Sequence, residues 1–111
     1  MWPFKKKIHQ TKTNRVDVFI SDPVIEPKTV LLLESNPRRS FSTFFLDCSY
    51  SICYLKLGEN ATKKDFTVKL MPGSFIELSK YNGVVTAVFE RTDPALVDEK
   101  LGAVQVTEVF K

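Results

Sequence analysis

The chain has 111 residues, a length that holds one hydrophobic core and excludes two independent ones. With 43% hydrophobic and 26% charged residues its composition is that of a folded globular protein rather than a disordered one, and no apolar run approaches the ~20 residues of a membrane-crossing helix. The net charge of +3 is uneven: Lys5, Lys6, Lys7, Lys12 and Arg15 fall in the first fifteen residues without an acid, leaving 11 basic against 13 acidic residues in the rest. A basic N-terminal arm, 1–15, is therefore expected to precede a slightly acidic domain, 16–111. Such an arm suits a polyanion or an acidic protein surface, and a solvated, frayed terminus is the simpler reading.

The arm opens Met-Trp-Pro-Phe-Lys-Lys-Lys, with its basic residues after the apolar ones, the reverse of a secretory signal, so export by the general route is not expected. Beyond it, short apolar stretches recur between turn residues. Strands are expected at 16–20, closed by Ser21-Asp22-Pro23, at 29–34, closed by Ser35-Asn36-Pro37, and at the aromatic-rich 41–46. Next come 52–57, ended by Gly58-Glu59-Asn60, and 65–70, where Phe66, Val68 and Leu70 alternate with Thr67 and Lys69 as in a strand with one face in a core. The stretch 75–78 lies between Pro72-Gly73 and Tyr81-Asn82-Gly83. The near-continuous apolar run 84–90 reads as a strand covered on both sides, and 103–110 closes the series.

Eight short strands with Pro, Gly and Asn between them predict an all-β fold, an antiparallel β-sandwich of jelly-roll or Ig-like form. One short helix is expected over 94–101, from the Asp93 cap, Pro94 at the first helical position and the closing Gly102.

Catalytic chemistry finds little to work with. The single histidine, His9, lies in the arm, so no Ser, Cys or Thr of the domain has an imidazole base. Asp47, Glu59, Asp65, Glu77 and Glu90 read as scattered surface acids, and Gly58, Gly73, Gly83 and Gly102 as isolated turn glycines rather than a phosphate cradle. Neither a catalytic site nor a metal or cofactor is expected, and the chain reads as a non-enzyme. Cys48 and Cys53 flank what looks like a four-residue hairpin loop; reduced, buried thiols are favoured over a bridge. Asn60-Ala61-Thr62 reads as a plain turn. Phe41, Phe44, Phe45 and Tyr54, near Arg38 and Arg39, read as core or interface in preference to a base-stacking surface.

Several stretches resemble small structural proteins of tailed-bacteriophage particles. They are Leu33-Glu34-Ser35-Asn36-Pro37-Arg38-Arg39-Ser40 followed by a strand, Ile52-Cys53-Tyr54-Leu55-Lys56-Leu57-Gly58, the 66–78 segment with its Pro72-Gly73 turn, Tyr81-Asn82-Gly83 entering an apolar strand, and the closing Val104-Gln105-Val106-Thr107-Glu108. The likeness covers 30–90 and 103–109. Asp47-Cys48 departs from the Asn-Ser or Asn-Thr usual in that hairpin, and 91–102 resembles an insertion. The family-like turn residues are Asn36, Pro37, Arg38, Arg39, Gly58, Pro72, Gly73 and Gly83. The resemblance implies a virion protein, assembled in the host cytoplasm, that binds the major capsid protein or other virion proteins as a decoration or cement protein, as a homo-oligomer or in a symmetric array on the particle.

The arm, outside that pattern, offers Trp2 and Phe4 as apolar anchors and Lys5, Lys6, Lys7, Lys12 and Arg15 as charges. Protein is its expected partner ahead of nucleic acid, with no membrane. The competing readings are a low-copy neck or tail component, and a carbohydrate- or other ligand-binding module using exposed Tyr50, Tyr54 and Tyr81.

Overall fold

Residues whose polarity alternates between proline, glycine and asparagine turns form eight strands: β1 (Gln10–Phe19), β2 (Val30–Leu33), β3 (Arg39–Leu46), β4 (Ser51–Leu57), β5 (Val68–Leu70), β6 (Phe75–Ser79), β7 (Val85–Arg91) and β8 (Lys100–Phe110). The computed structural model describes residues 10–19, 28–92 and 100–111. The strands make two four-stranded sheets, one ordered β1-β8-β3-β6 and the other β2-β7-β4-β5, with every strand pair antiparallel. Only β4 and β5 are both consecutive and paired. Every other connection except β4 to β5 passes from one sheet to the other. This nested order is the jelly roll and not the Ig arrangement, in which successive strands pair within a sheet.

Period-two alternation decides what fills the sandwich. Phe44 and Leu46 of β3 and Val104 and Val106 of β8 point inward from the first sheet. They meet Leu32, Leu33, Cys53, Leu55, Leu70, Val85, Ala87 and Phe89 of the second. Gly102 is small because Phe89 passes over it: a Cβ there would lie 2.6 Å from the Phe89 ring.

Several boundaries differ from the sequence reading. The first strand begins at Gln10, so Lys12 and Arg15 are part of the sandwich rather than of an arm. Lys and Thr alternating from residue 10 conceal a strand whose partner, β8, holds it along its whole length from Gln10↔Phe110 to Phe19↔Lys100. The 48–53 segment is no hairpin: β3 and β4 belong to different sheets, and the connection is an arch between layers. The 65–70 strand shortens to three residues. Thr67 turns its hydroxyl to the Leu57 N–H at 2.9 Å, and Phe66 lies outside the core against Tyr54. The helix expected over 94–101 lies outside the described residues except for residues 100 and 101, which belong to β8; the 91–102 insertion likewise begins inside β7 and ends inside β8.

A buried guanidinium joins the two layers at one end. Asn36 makes the expected turn, its backbone oxygen accepting from Arg39 N at 3.0 Å and its side-chain oxygen from Arg38 N at 3.0 Å. That turn delivers Arg39 inward, where its side chain is wholly buried. Nη1 donates to the Glu34 carbonyl at 3.0 Å and to Glu108 Oε2 at 3.2 Å, and Nη2 donates to the Gly83 carbonyl. Nε makes a longer 3.5 Å approach to the Tyr81 carbonyl. The Tyr81 hydroxyl, donating to Val84 O at 2.6 Å, packs so close to Gly83 that a Cβ there would fall 2.6 Å away. Replacing Arg39 by Ala leaves the largely buried Glu108 and three carbonyls without their donor, so Arg39→Ala should cost about 3–5 kcal/mol in urea unfolding. The double change Arg39→Met, Glu108→Leu should recover much of it, since neither charge is then left buried alone.

Candidate interaction surface

The two sheets differ in what covers their outer faces. On the second sheet the 58–67 connection between β4 and β5 folds back over the strands. Left-handed backbone at Asn60 (φ 62°) and the open φ of Gly58 (140°) turn the chain. Thr86 then fixes it: its hydroxyl donates to Gly58 O at 2.7 Å and accepts from Ala61 N at 3.1 Å, and Ala61 is fully buried. Farther along, the edge of the Phe66 ring meets Tyr54 at 5.1 Å, and Lys69 lies 5.4 Å from the Tyr54 ring centre. Lys63 and the Tyr54 hydroxyl both reach Glu90, at 2.5 and 3.0 Å, while Lys56 pairs with Asp65 at 2.5 Å. With this flap in place β7 is buried on both parities from Val85 to Phe89.

The first sheet carries no such cover among the described residues, and its registers lay out the face row by row. One row runs Arg15, Gln105, Phe45, Phe75; the next Thr13, Thr107, Thr43, Glu77; the third Thr11, Val109, Phe41, Ser79. Twelve positions thus hold only two charges, and Arg15 is already engaged, bonding Asp17 at 3.1 Å and Asp47 at 2.7 Å. Hydroxyls and rings make up most of the rest. Thr13 and Thr107 share a hydrogen bond at 3.1 Å, and the Phe45–Phe75 cross-strand pair stands 38% and 64% exposed. Adjacent aromatic rings on a face poor in charge match the composition of protein contact surfaces.

The other predicted residues scatter. Trp2, Phe4, Lys5, Lys6 and Lys7 lie outside the described residues, and Lys12 points to the inward side of β1. There, with Asn14, Glu34, Ser35, Asn36 and Glu108, it lines an open polar cleft of about 280 Å³ between β1 and β2. Arg39, read as a turn residue, is the buried hub and the first residue of β3, a role visible in sequence only as an Arg two residues before an aromatic-rich run. Arg38 instead bonds the Lys111 carbonyl at 3.2 Å on the surface. The aromatic cluster divides: Phe44 is in the core, Tyr54 lies on the opposite sheet, and Phe41 and Phe45 are on the bare face. Tyr50 and Tyr81 are half-buried and Tyr54 is 8% exposed, so the three tyrosines do not form the exposed row that a sugar-binding module would use. The five acids do not converge, and among the described residues no three His, Cys, Asp or Glu side chains group together.

The chain matches no family model, no curated protein and no solved structure.

Two outcomes follow from local chemistry. Hydrogen bonding to Lys63 holds the Glu90 carboxyl below its ordinary 4.5, with Tyr54 adding to the effect against desolvation. Because the folded-state value is the lower one, the clip is complete above 4.5 and is lost as pH falls through the lowered value. The protection of the 58–67 amides, relative to their intrinsic exchange rates, should therefore fall as pH drops below 4.5, and Glu90→Gln should flatten that fall. The thiols should also separate. Both are free; burial pushes Cys53 up to about 12, while Cys48 is half-buried with its Sγ 2.8 Å from Ser51 Oγ. A disulfide reagent at pH 8 should modify Cys48 in the native protein and Cys53 only after unfolding.

Proposed function

We propose that this chain is a non-enzymatic structural protein of a tailed-phage particle that binds the capsid shell as a decoration or cement protein, with the outer face of the β1-β8-β3-β6 sheet as its contact. The observation that carries the reading is the asymmetry of the sandwich: the chain closes one sheet's outer face with its own 58–67 flap, and among the described residues the other has no cover, with Phe45 and Phe75 exposed side by side. A face held flat by four strands needs no loop ordering on contact, which reduces the entropic cost of association. A stable contact buries about 800 Å² per partner, so on so small a domain it would spread over most of one face rather than a pocket. The sequence resemblance supplies the particle, and the major capsid protein is the partner it favours.

Quantitative mass spectrometry of purified particles tests the setting. Copy number comparable to the shell protein supports decoration, a small fixed number moves the chain to the neck or tail, and absence from the particle overturns the reading. The face is tested separately by Phe45→Ser with Phe75→Ser. Both side chains are already solvent-exposed, so the melting temperature should change little, while binding to shells should weaken at least about tenfold.

A further inference from the structure

Sheets end in edges, and an edge strand presents unpaired N–H and C=O groups that native proteins usually guard with charge, bulges or short length. Three of the four edges here are guarded: β1 carries Lys12, Arg15 and Asp17, β2 has four residues and a register shift, and β5 has three residues with Lys69 among them. The fourth, β6, has no proline, no lysine and an unbroken register on β3. Lys80 N donates to Ser40 O at 3.0 Å and Leu46 N to Ser74 O at 2.9 Å, so the even-numbered residues turn their backbone groups toward β3. Phe75, Glu77 and Ser79 therefore turn theirs to the other side, where among the described residues no strand pairs with them. Their side chains stand on the bare face, and Phe75 is the most exposed large apolar residue among those described.

We propose that residues 1–9 of one copy add as an antiparallel strand along β6 of a second copy. The segment Met1-Trp2-Pro3-Phe4-Lys5-Lys6-Lys7-Ile8-His9 carries three lysines and no acid, whereas β6 carries one acid and no base. In an extended strand Phe4, Lys6 and Ile8 share a face. Set with Lys6 opposite Glu77, that face places Ile8 opposite Phe75 and Phe4 opposite Ser79, beside Phe41 in the next strand. In this antiparallel register the bonding residues are the even ones, so Pro3, which has no N–H, falls where none is needed. The chain's own β6 is out of reach, because β1 and β6 are opposite edges of one sheet, about 14 Å apart at ~4.8 Å per strand, and only His9 separates Ile8 from β1. Each copy then offers one donor segment and one acceptor edge, a head-to-tail contact that closes into rings or runs on as an array. This goes beyond the particle role and does not depend on it.

Trp2 is the only tryptophan, so its fluorescence reports the contact directly. With the full chain, rising concentration should shift the emission to shorter wavelength and raise the sedimentation coefficient together. Deleting residues 1–9 should leave a folded monomer, and a synthetic 1–9 peptide added to it should show the same Trp2 shift. Glu77→Lys should raise the half-association concentration at least about tenfold with unchanged circular dichroism; Glu77→Pro, which removes an outward N–H only, should abolish association. Persistence of the oligomer after the deletion would mean that β6 pairs with β6 and would overturn the proposal, as would a chain that stays monomeric with unshifted Trp2 emission to millimolar concentration.

Discussion

Arg39 sets the geometry of one end of this sandwich. A guanidinium withdrawn from water must find partners for its five donors, and here they come from three separate pieces of chain: the residue after β2, the connection from β6 to β7, which gives two carbonyls, and the carboxylate of β8. None of these pieces is a sequence neighbour of all the others, so their spacing is dictated by one rigid, planar fork. Glu108, which pairs with the arginine, also lines the cleft between β1 and β2.

The second constraint is the sandwich's need to protect apolar strands. Val88 and Tyr54 point away from the core, yet both are buried, on the face where Thr86 and Glu90 tie the 58–67 segment to β7. Much of that stitching is polar and solvent-facing, and its ion pairs contribute modestly each; the buried Ala61 and the Phe66 edge contact supply the apolar part. The first sheet reaches the same end differently, by placing threonines at the middle of its outer face, where hydroxyls satisfy one another.

Local pattern made the strands legible, and long-range pairing was hidden from it. The alternation in β8, the apolar run of β7 and the Asn36-Pro37 and Pro72-Gly73 turns all follow from short-range sterics, and all stand where the sequence puts them. Four short residues between β3 and β4 look the same whether the chain turns back beside itself or arches to another layer, so local pattern does not distinguish the arch from a hairpin. Gln10 to Arg15 carry no strand signal, because a strand exposed on both parities has no hydrophobic period. Phe66 kept the alternation of a core strand, but the bend at Thr67 put its ring on the opposite side of the sheet. Of the candidate surface, Phe45 could be read as interface; its neighbour Phe75 required the β3–β6 register.

The pairing of β1 with β8 sets Gln10 beside Phe110, about a hundred positions away. During synthesis β3 and β6 can emerge and pair, but the flank of β3 that receives β8 stays open until nearly the whole chain has been made, and β1 waits for β8 in turn. Folding dominated by such distant partners is slow, in the range of milliseconds to seconds. The chain therefore spends its nascent life with one half-built layer whose exposed phenylalanines and free edges can meet other chains, and the order in which its layers finish bears on its solubility as much as their final packing does.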